Sequence, residues 1–141
     1  MLPKLIAALS AVALLFPMLF FTFASPPLLI LKHDTPQDAR FIRGLFHHYY
    51  TVVAVAASIG TVAQLAIGHF GVAVAMAGVA ALAFSLHRWV IPRMDALRVR
   101  INSGEATAIT QFRRLHLSGM LINVVQLAVV AWGLIQLFTT L

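Results

Sequence analysis

The sequence predicts an all-α integral membrane protein, a four-helix bundle forming one domain over residues 1–141, on three observations. Of its 141 residues, 61% are hydrophobic and 10% charged, with a mean hydropathy of +0.93. Soluble domains use roughly 45–50% apolar and about 25% charged residues. Four apolar stretches each approach the roughly 20 residues that a helix needs to cross a bilayer. The basic residues gather between the first and second stretches and around the connection of the third and fourth. A water-soluble fold of this size has no place to hide so much apolar surface, so lipid is the expected solvent for most of it.

The first span is expected over 5–31, where Pro17 and the pair Pro26-Pro27 predict kinks or bends. Its apolar run is longer than the roughly 7–15 residues of a signal-peptide core, so it is expected to be retained. A loop over 32–44 leads to the second span, 45–67. Gly68-His69-Phe70-Gly71 is a turn short enough to make the third span, 72–91, an antiparallel neighbour of the second. The connection over 92–114 is the largest element expected outside the membrane. Asp95 to Ile101 extends the third helix, Asn102-Ser103-Gly104 breaks it, and Glu105 to Gln111 restart a helix into the fourth span, 115–137. Arg alternating there with Leu, Val and Ile suits the headgroup level.

Orientation follows from charge. Lys32, Arg40 and Arg43 belong to the first loop, and Arg88, Arg93, Arg98, Arg100, Arg113 and Arg114 lie in or beside the third. Only Lys4 falls on the other side. The excess of Lys and Arg therefore predicts cytoplasmic loops at 32–44 and 92–114, non-cytoplasmic N- and C-termini, and a bacterial inner membrane. The same placement accounts for the isoelectric point near 11.3 and net charge of +6 as a topological feature, not as a nucleic-acid surface.

Inside the membrane, small residues spaced by four let helix backbones approach closely. Ala54/Ser58 and Ala56/Gly60 on the second span, with Ala77/Ala81/Ser85 on the third, are expected to pack inside the bundle. On the fourth span His116, Asn123 and Gln126 share one stripe with Gly119 and Gly133. Unpaired amides facing lipid are costly, so this stripe is expected to face inward, with Gln64 of the second span as a partner. His47, His48, His87 and His116 all fall near one interface, where imidazoles bind haem b or a divalent metal. Histidine also suits an interface for its own sake, as do Tyr49, Tyr50 and Trp89 beside it. The candidate polar site is therefore His116, Ser118, Asn123, Gln126, Arg88, His87 and Gln64.

Chemistry of the usual kinds is missing. The chain has no cysteine and four carboxylates, Asp34, Asp38, Asp95 and Glu105, all expected in loops. No phosphate loop, nucleophile elbow or paired-histidine zinc motif occurs. No catalytic residue is expected.

Several segments resemble the transmembrane protein 205-like family and its bacterial relatives, four-helix membrane proteins with a domain of unknown function. Met18 to Phe23 and then Pro27 resemble that family's aromatic first span with its late proline. Asp38-Ala39-Arg40-Phe41 through Phe46-His47-His48-Tyr49-Tyr50 is similar to its polar loop and the start of its second span. Arg88-Trp89-Val90-Ile91-Pro92-Arg93 resembles the end of its third span. Phe112-Arg113-Arg114-Leu115-His116-Leu117-Ser118, followed by Asn123, is similar to the start of its fourth. The resemblance implies a four-helix membrane bundle without a defined activity. The expectation is a non-enzymatic accessory or structural subunit, associated with lipid, with other membrane subunits or with itself. The alternative is a protein binding haem, a metal or a small molecule, or a transporter, through the polar stripe of the fourth span.

Overall fold

The computed structural model describes every residue except 31, 32, 34, 140 and 141. Four helices occupy the described chain: α1 (Leu2–Leu28), α2 (Pro36–Ala66), α3 (Phe70–Asn102) and α4 (Ala106–Thr139). All four are long and apolar enough to cross a membrane. At about 1.5 Å per residue they measure about 40 to 50 Å, against a hydrocarbon core of about 30 Å, so each projects beyond it.

Two boundaries differ from expectation. The stretch 36–44, expected as loop, is the start of α2, and it carries Arg40 and Arg43. Thr35 caps that helix by accepting a hydrogen bond from the Asp38 backbone N–H at 3.2 Å, and Pro36 follows in the first turn, where its missing N–H is not needed. Hydropathy alone ends the helix where the apolar run ends; the Thr-Pro start places it nine residues earlier. Helix α1 ends at Leu28. The expected end of the first span at Leu31, the loop residues Lys32 and Asp34, and the last two residues of the chain lie outside the described residues. Helix α1 runs through Pro17 without a break, while Pro26 and Pro27 fall in its last turn.

Between α3 and α4, Gly104 takes a φ of +87°, the left-handed region that favours glycine. Arg100 clips this turn from α3: its Nε donates to Glu105 Oε2 at 2.7 Å, a second nitrogen donates to Oε1, and another reaches Gln111 at 3.0 Å. Those bonds, with one from Thr107, hold the half-buried Glu105 carboxyl down to about 2. At the same end Arg43 on α2 grips Asp95 on α3 through two 2.9 Å bonds. Asp38, expected in a loop, is thus on a helix, and Asp95 lies on the expected extension of the third helix.

The helices pack as neighbours in the order α1–α2, α2–α3, α3–α4 and back from α4 to α1. Each turns a narrow stripe inward. On α1 it is Ala7, Ala11, Leu14, Met18, Phe21 and Ser25; on α4 it is Ala108, Phe112, His116, Gly119, Asn123, Gln126, Val130, Gly133 and Leu137. Spacings of three and four alternate, the repeat that keeps a seam facing its partner along a whole bundle. No more than 39% of the most apolar window of any helix is buried, and large apolar side chains such as Phe16, Val62, Val74 and Val125 point outward. An outer surface of this kind fits a lipid environment.

The expected packing of small residues is only partly realised. Gly60 and Gly119 are inside. A Cβ on Gly119 would run into the edge of the Phe46 ring, with Cζ only 2.9 Å away and the Tyr50 hydroxyl at 3.2 Å. By contrast Ser58, Ala77, Ala81 and Ser85 are exposed and Ala54 is half-buried, so the third helix does not pack through its Ala77/Ala81/Ser85 stripe. Its inward face is Met76, Val79, Ala83, Leu86 and Val90. Large side chains fill this interface, and small size alone did not mark the side on which α3 meets its neighbours.

Candidate functional site

Halfway along the bundle, side chains from three helices and carbonyls from two meet in one polar cluster. Tyr49 of α2 donates its hydroxyl to Asn123 Oδ1 of α4. The Asn123 amide donates to Thr22 Oγ1 at 2.7 Å and reaches the Met18 carbonyl at 3.4 Å, both on α1. Gln126, one turn further on α4, lies 3.5 Å from the Tyr49 hydroxyl and donates to the Val79 carbonyl of α3 at 3.5 Å. Every helix therefore contributes. In an apolar solvent such groups have no water to turn to, so each finds its partner across the bundle. The Phe21 ring stacks on Tyr49 with centroids 4.2 Å apart and closes the cluster from one side.

Nearer the end of the bundle where α1 ends and α4 begins lies a second set. His116 Nε2 is 2.8 Å from Ser25 Oγ at the end of α1, and its Nδ1 is 3.1 Å from Nε2 of His33. All three residues are fully buried. The two bonds set each other: when His33 donates to Nδ1, His116 donates to Ser25, and the reverse order holds when Ser25 is the donor. His33 reaches this position with a φ of 62°, uncommon for a residue with a Cβ, though less so for histidine than for most. Phe46 meets His116 edge-on at 5.4 Å and Phe112 lies 6.0 Å from His33. A hydroxyl, an imidazole and an orienting group in line are the ingredients of an activated nucleophile. Here the three groups are enclosed within the bundle.

The remaining histidines form a separate pair. His87 Nε2 on α3 meets His47 Nδ1 on α2 at 2.9 Å, half-buried, and His48 is exposed beside them. The expected convergence of His47, His48, His87 and His116 at one level is thus split in two. Among the described residues no three His, Cys, Asp or Glu side chains gather as a metal site would require.

Of the candidate residues, His116, Asn123 and Gln126 lie inside the bundle, and the two amides join one cluster. Three others do not. Arg88 is exposed on α3 beside Phe84, 5.8 Å from its ring centroid. Ser118 faces outward and bonds back to the Arg114 carbonyl of its own helix at 2.8 Å. His87 pairs with His47 instead of His116. Gln64 is fully buried, yet neither polar atom of its amide has a hydrogen-bond partner among the described residues, and it does not meet Gln126. The Tyr50 hydroxyl is likewise buried without a partner.

Sequence reasoning missed Thr22, Ser25, His33 and the interior role of Tyr49. A trace was present for two of them. Ser25 continues the inward repeat of Met18 and Phe21, and Tyr49 that of Ile42 and Phe46. For His33 nothing in the pattern gives the position, since it lies between helices. Comparisons with models of protein families, with curated proteins and with solved structures find no match to this chain.

Proposed function

We propose that this chain is a non-enzymatic multi-pass protein of the bacterial inner membrane, related to the transmembrane protein 205-like proteins, that serves as an accessory subunit of a larger membrane assembly. In this reading the helices run antiparallel, the basic connections face the cytoplasm and both termini lie on the opposite side, as the distribution of Lys and Arg supports. One observation carries it: the mid-span polar groups of all four helices engage one another, while the small-residue stripe Ala77/Ala81/Ser85 is turned outward. A polar interior closed on itself fixes the bundle as a rigid unit. An outward stripe of small residues is the kind of face against which another transmembrane helix packs closely. The test is purification of the tagged chain from native membranes in a mild detergent, with mass spectrometry of what accompanies it. A stoichiometric membrane partner that Ala81→Leu releases supports the reading; a chain that travels alone with either residue at this position contradicts it.

A second reading has its own observation. The Gln64 amide and Tyr50 hydroxyl, without a partner among the described residues, are polar groups inside an apolar bundle, and a bound small molecule satisfies such groups. Haem or metal versions of this reading predict a Soret band or a stoichiometric metal in the purified protein. An optical spectrum and elemental analysis without either remove them.

A further inference from the structure

The arginines at the α3–α4 end are not equivalent. Asp95 engages Arg43 and Arg98, and Glu105 engages Arg100. Among the described residues, Arg93 and Arg114 have no carboxylate partner. Both line one cleft of about 700 Å³ between the end of α3 and the start of α4. The Arg100–Gln111 bond bridges the two helices at the cleft's outer end. Its inner end is mostly apolar, formed by Trp89 on one side and Leu115, Ser118 and Ile122 on the other, while Leu97 lies between Arg93 and Arg100. Charge at the mouth and hydrocarbon below make an amphipathic slot, not a general basic surface.

The geometry of Arg93 sharpens this. Its guanidinium carbon lies 3.7 Å from the Trp89 ring centroid, stacked over it. Stacking engages the face of the guanidinium and leaves its N–H edge to accept an anion in two-point fashion. Trp89 is half-exposed at the outer surface, the depth at which indole rings favour the headgroup region. At about 1.5 Å per residue, the run from Arg100 back to Trp89 covers roughly 16 Å, the reach of a headgroup with the upper part of an acyl chain.

We propose that this cleft binds one anionic phospholipid, its phosphate held between Arg93 and Arg114 and its acyl chain lying along Trp89, Leu115 and Ile122. A zwitterionic headgroup brings its own cation against the arginines and gains less. Inorganic phosphate has the same anionic chemistry but nothing to cover the apolar floor. The inference is independent of whether the chain works alone or as a subunit.

The chain has two tryptophans, so Trp132→Phe leaves Trp89 as the only reporter, at the cleft itself. The full chain is placed in phosphatidylcholine vesicles containing a small fraction of lipid brominated on its acyl chains, either phosphatidylglycerol or phosphatidylcholine. The brominated anionic lipid is expected to quench Trp89 at a mole fraction roughly thirtyfold lower than the zwitterionic one, from about 1 kcal/mol per arginine at the membrane surface. The preference is a ratio within each variant, so changes in Trp89 brightness cancel. Arg93→Gln with Arg114→Gln should abolish it, and Arg93→Lys with Arg114→Lys should keep part of it. Arg40→Gln with Arg88→Gln removes the same charge outside the cleft and should leave it intact. Should the double glutamine variant lose its helical circular dichroism, Arg114→Gln alone is read instead, with a roughly fivefold loss expected. Equal quenching by both lipids overturns the proposal, as does equal loss in the cleft and control pairs. Abolition by millimolar inorganic phosphate also overturns it, by marking a site for the free anion.

Discussion

Two stripes of this molecule carry similar sequence signals and face opposite ways. On α4, His116, Gly119, Asn123, Gln126 and Gly133 recur at helical spacing and are all buried. On α3, Ala77, Ala81 and Ser85 recur as regularly and are all exposed. The difference lies in what lipid tolerates. An amide in hydrocarbon lacks every partner that water would give, so Asn123 and Gln126 must turn inward. Alanine is at home in either direction, and a lone serine satisfies itself on its own helix, as the 2.8 Å bond from Ser85 to the Ala81 carbonyl does. Polarity therefore locates an interior face in a membrane bundle, and small size only permits one.

The contrast breaks most visibly at its glycine. Gly119→Leu sets a branched side chain into the Phe46 ring, and overpacking of this kind typically costs about 1–3 kcal/mol or more, so loss of the folded bundle in detergent is expected. Ala81→Leu on the outward stripe should change the stability of the isolated chain by no more than about 0.5 kcal/mol. Comparable losses in thermal unfolding would erase the distinction between the stripes. Asn123→Leu comes next: it removes the bonds to Tyr49 and Thr22 and leaves a buried phenol short of its acceptor, for about 1–2 kcal/mol. Gln64→Leu sharpens the comparison within the interior. That amide has no partner to lose among the described residues, so an apolar side chain of similar size should be neutral or stabilising by about 1 kcal/mol. A loss as large as that of Asn123→Leu would mean that Gln64 is satisfied in the bilayer.

The smallest effect is at the α3–α4 turn. Glu105 titrates at about 2 in the folded chain against a usual 4.5. A carboxyl more acidic when folded contributes stability above its unfolded value, and the contribution fades as pH falls from about 4.5 towards 2. Amide exchange at 103–106 should therefore rise, relative to its intrinsic rate, over that window. Glu105→Gln should flatten the change, and an unchanged profile in that variant would show that the Arg100 clip does not hold the turn.

Much of the fold was legible because lipid simplifies the rules. Four apolar runs give four helices, and the polar residues of α4 point to its inward side without reference to any partner. What hydropathy could not convey is the helix beyond the apolar run. The start of α2 is written in Thr35 and Pro36 as a cap, and it carries Arg43 to Asp95. The site was legible from one helix only. Asn123 and Gln126 are conspicuous, whereas Tyr49 passes for an interface residue, and Thr22, bonded to the Met18 carbonyl of its own helix, and Ser25 pass for helix filler. His33 depends on how the chain turns between α1 and α2, which no periodicity encodes.

The central claim is that the α4 polar stripe is interior and the α3 small-residue stripe faces outward, open to lipid when the chain is alone. The chain has no cysteine, so Ala81→Cys and Val130→Cys can each carry a single nitroxide label in the purified protein reconstituted in vesicles. Val130 is fully buried between Gln126 and Gly133 on the α4 stripe. Power-saturation measurements of accessibility to oxygen, which concentrates in the bilayer core, distinguish the two positions directly. High oxygen accessibility at 81 with low accessibility at 130 is the expected result. Equal accessibility at the two positions, or the reverse order, would contradict the account.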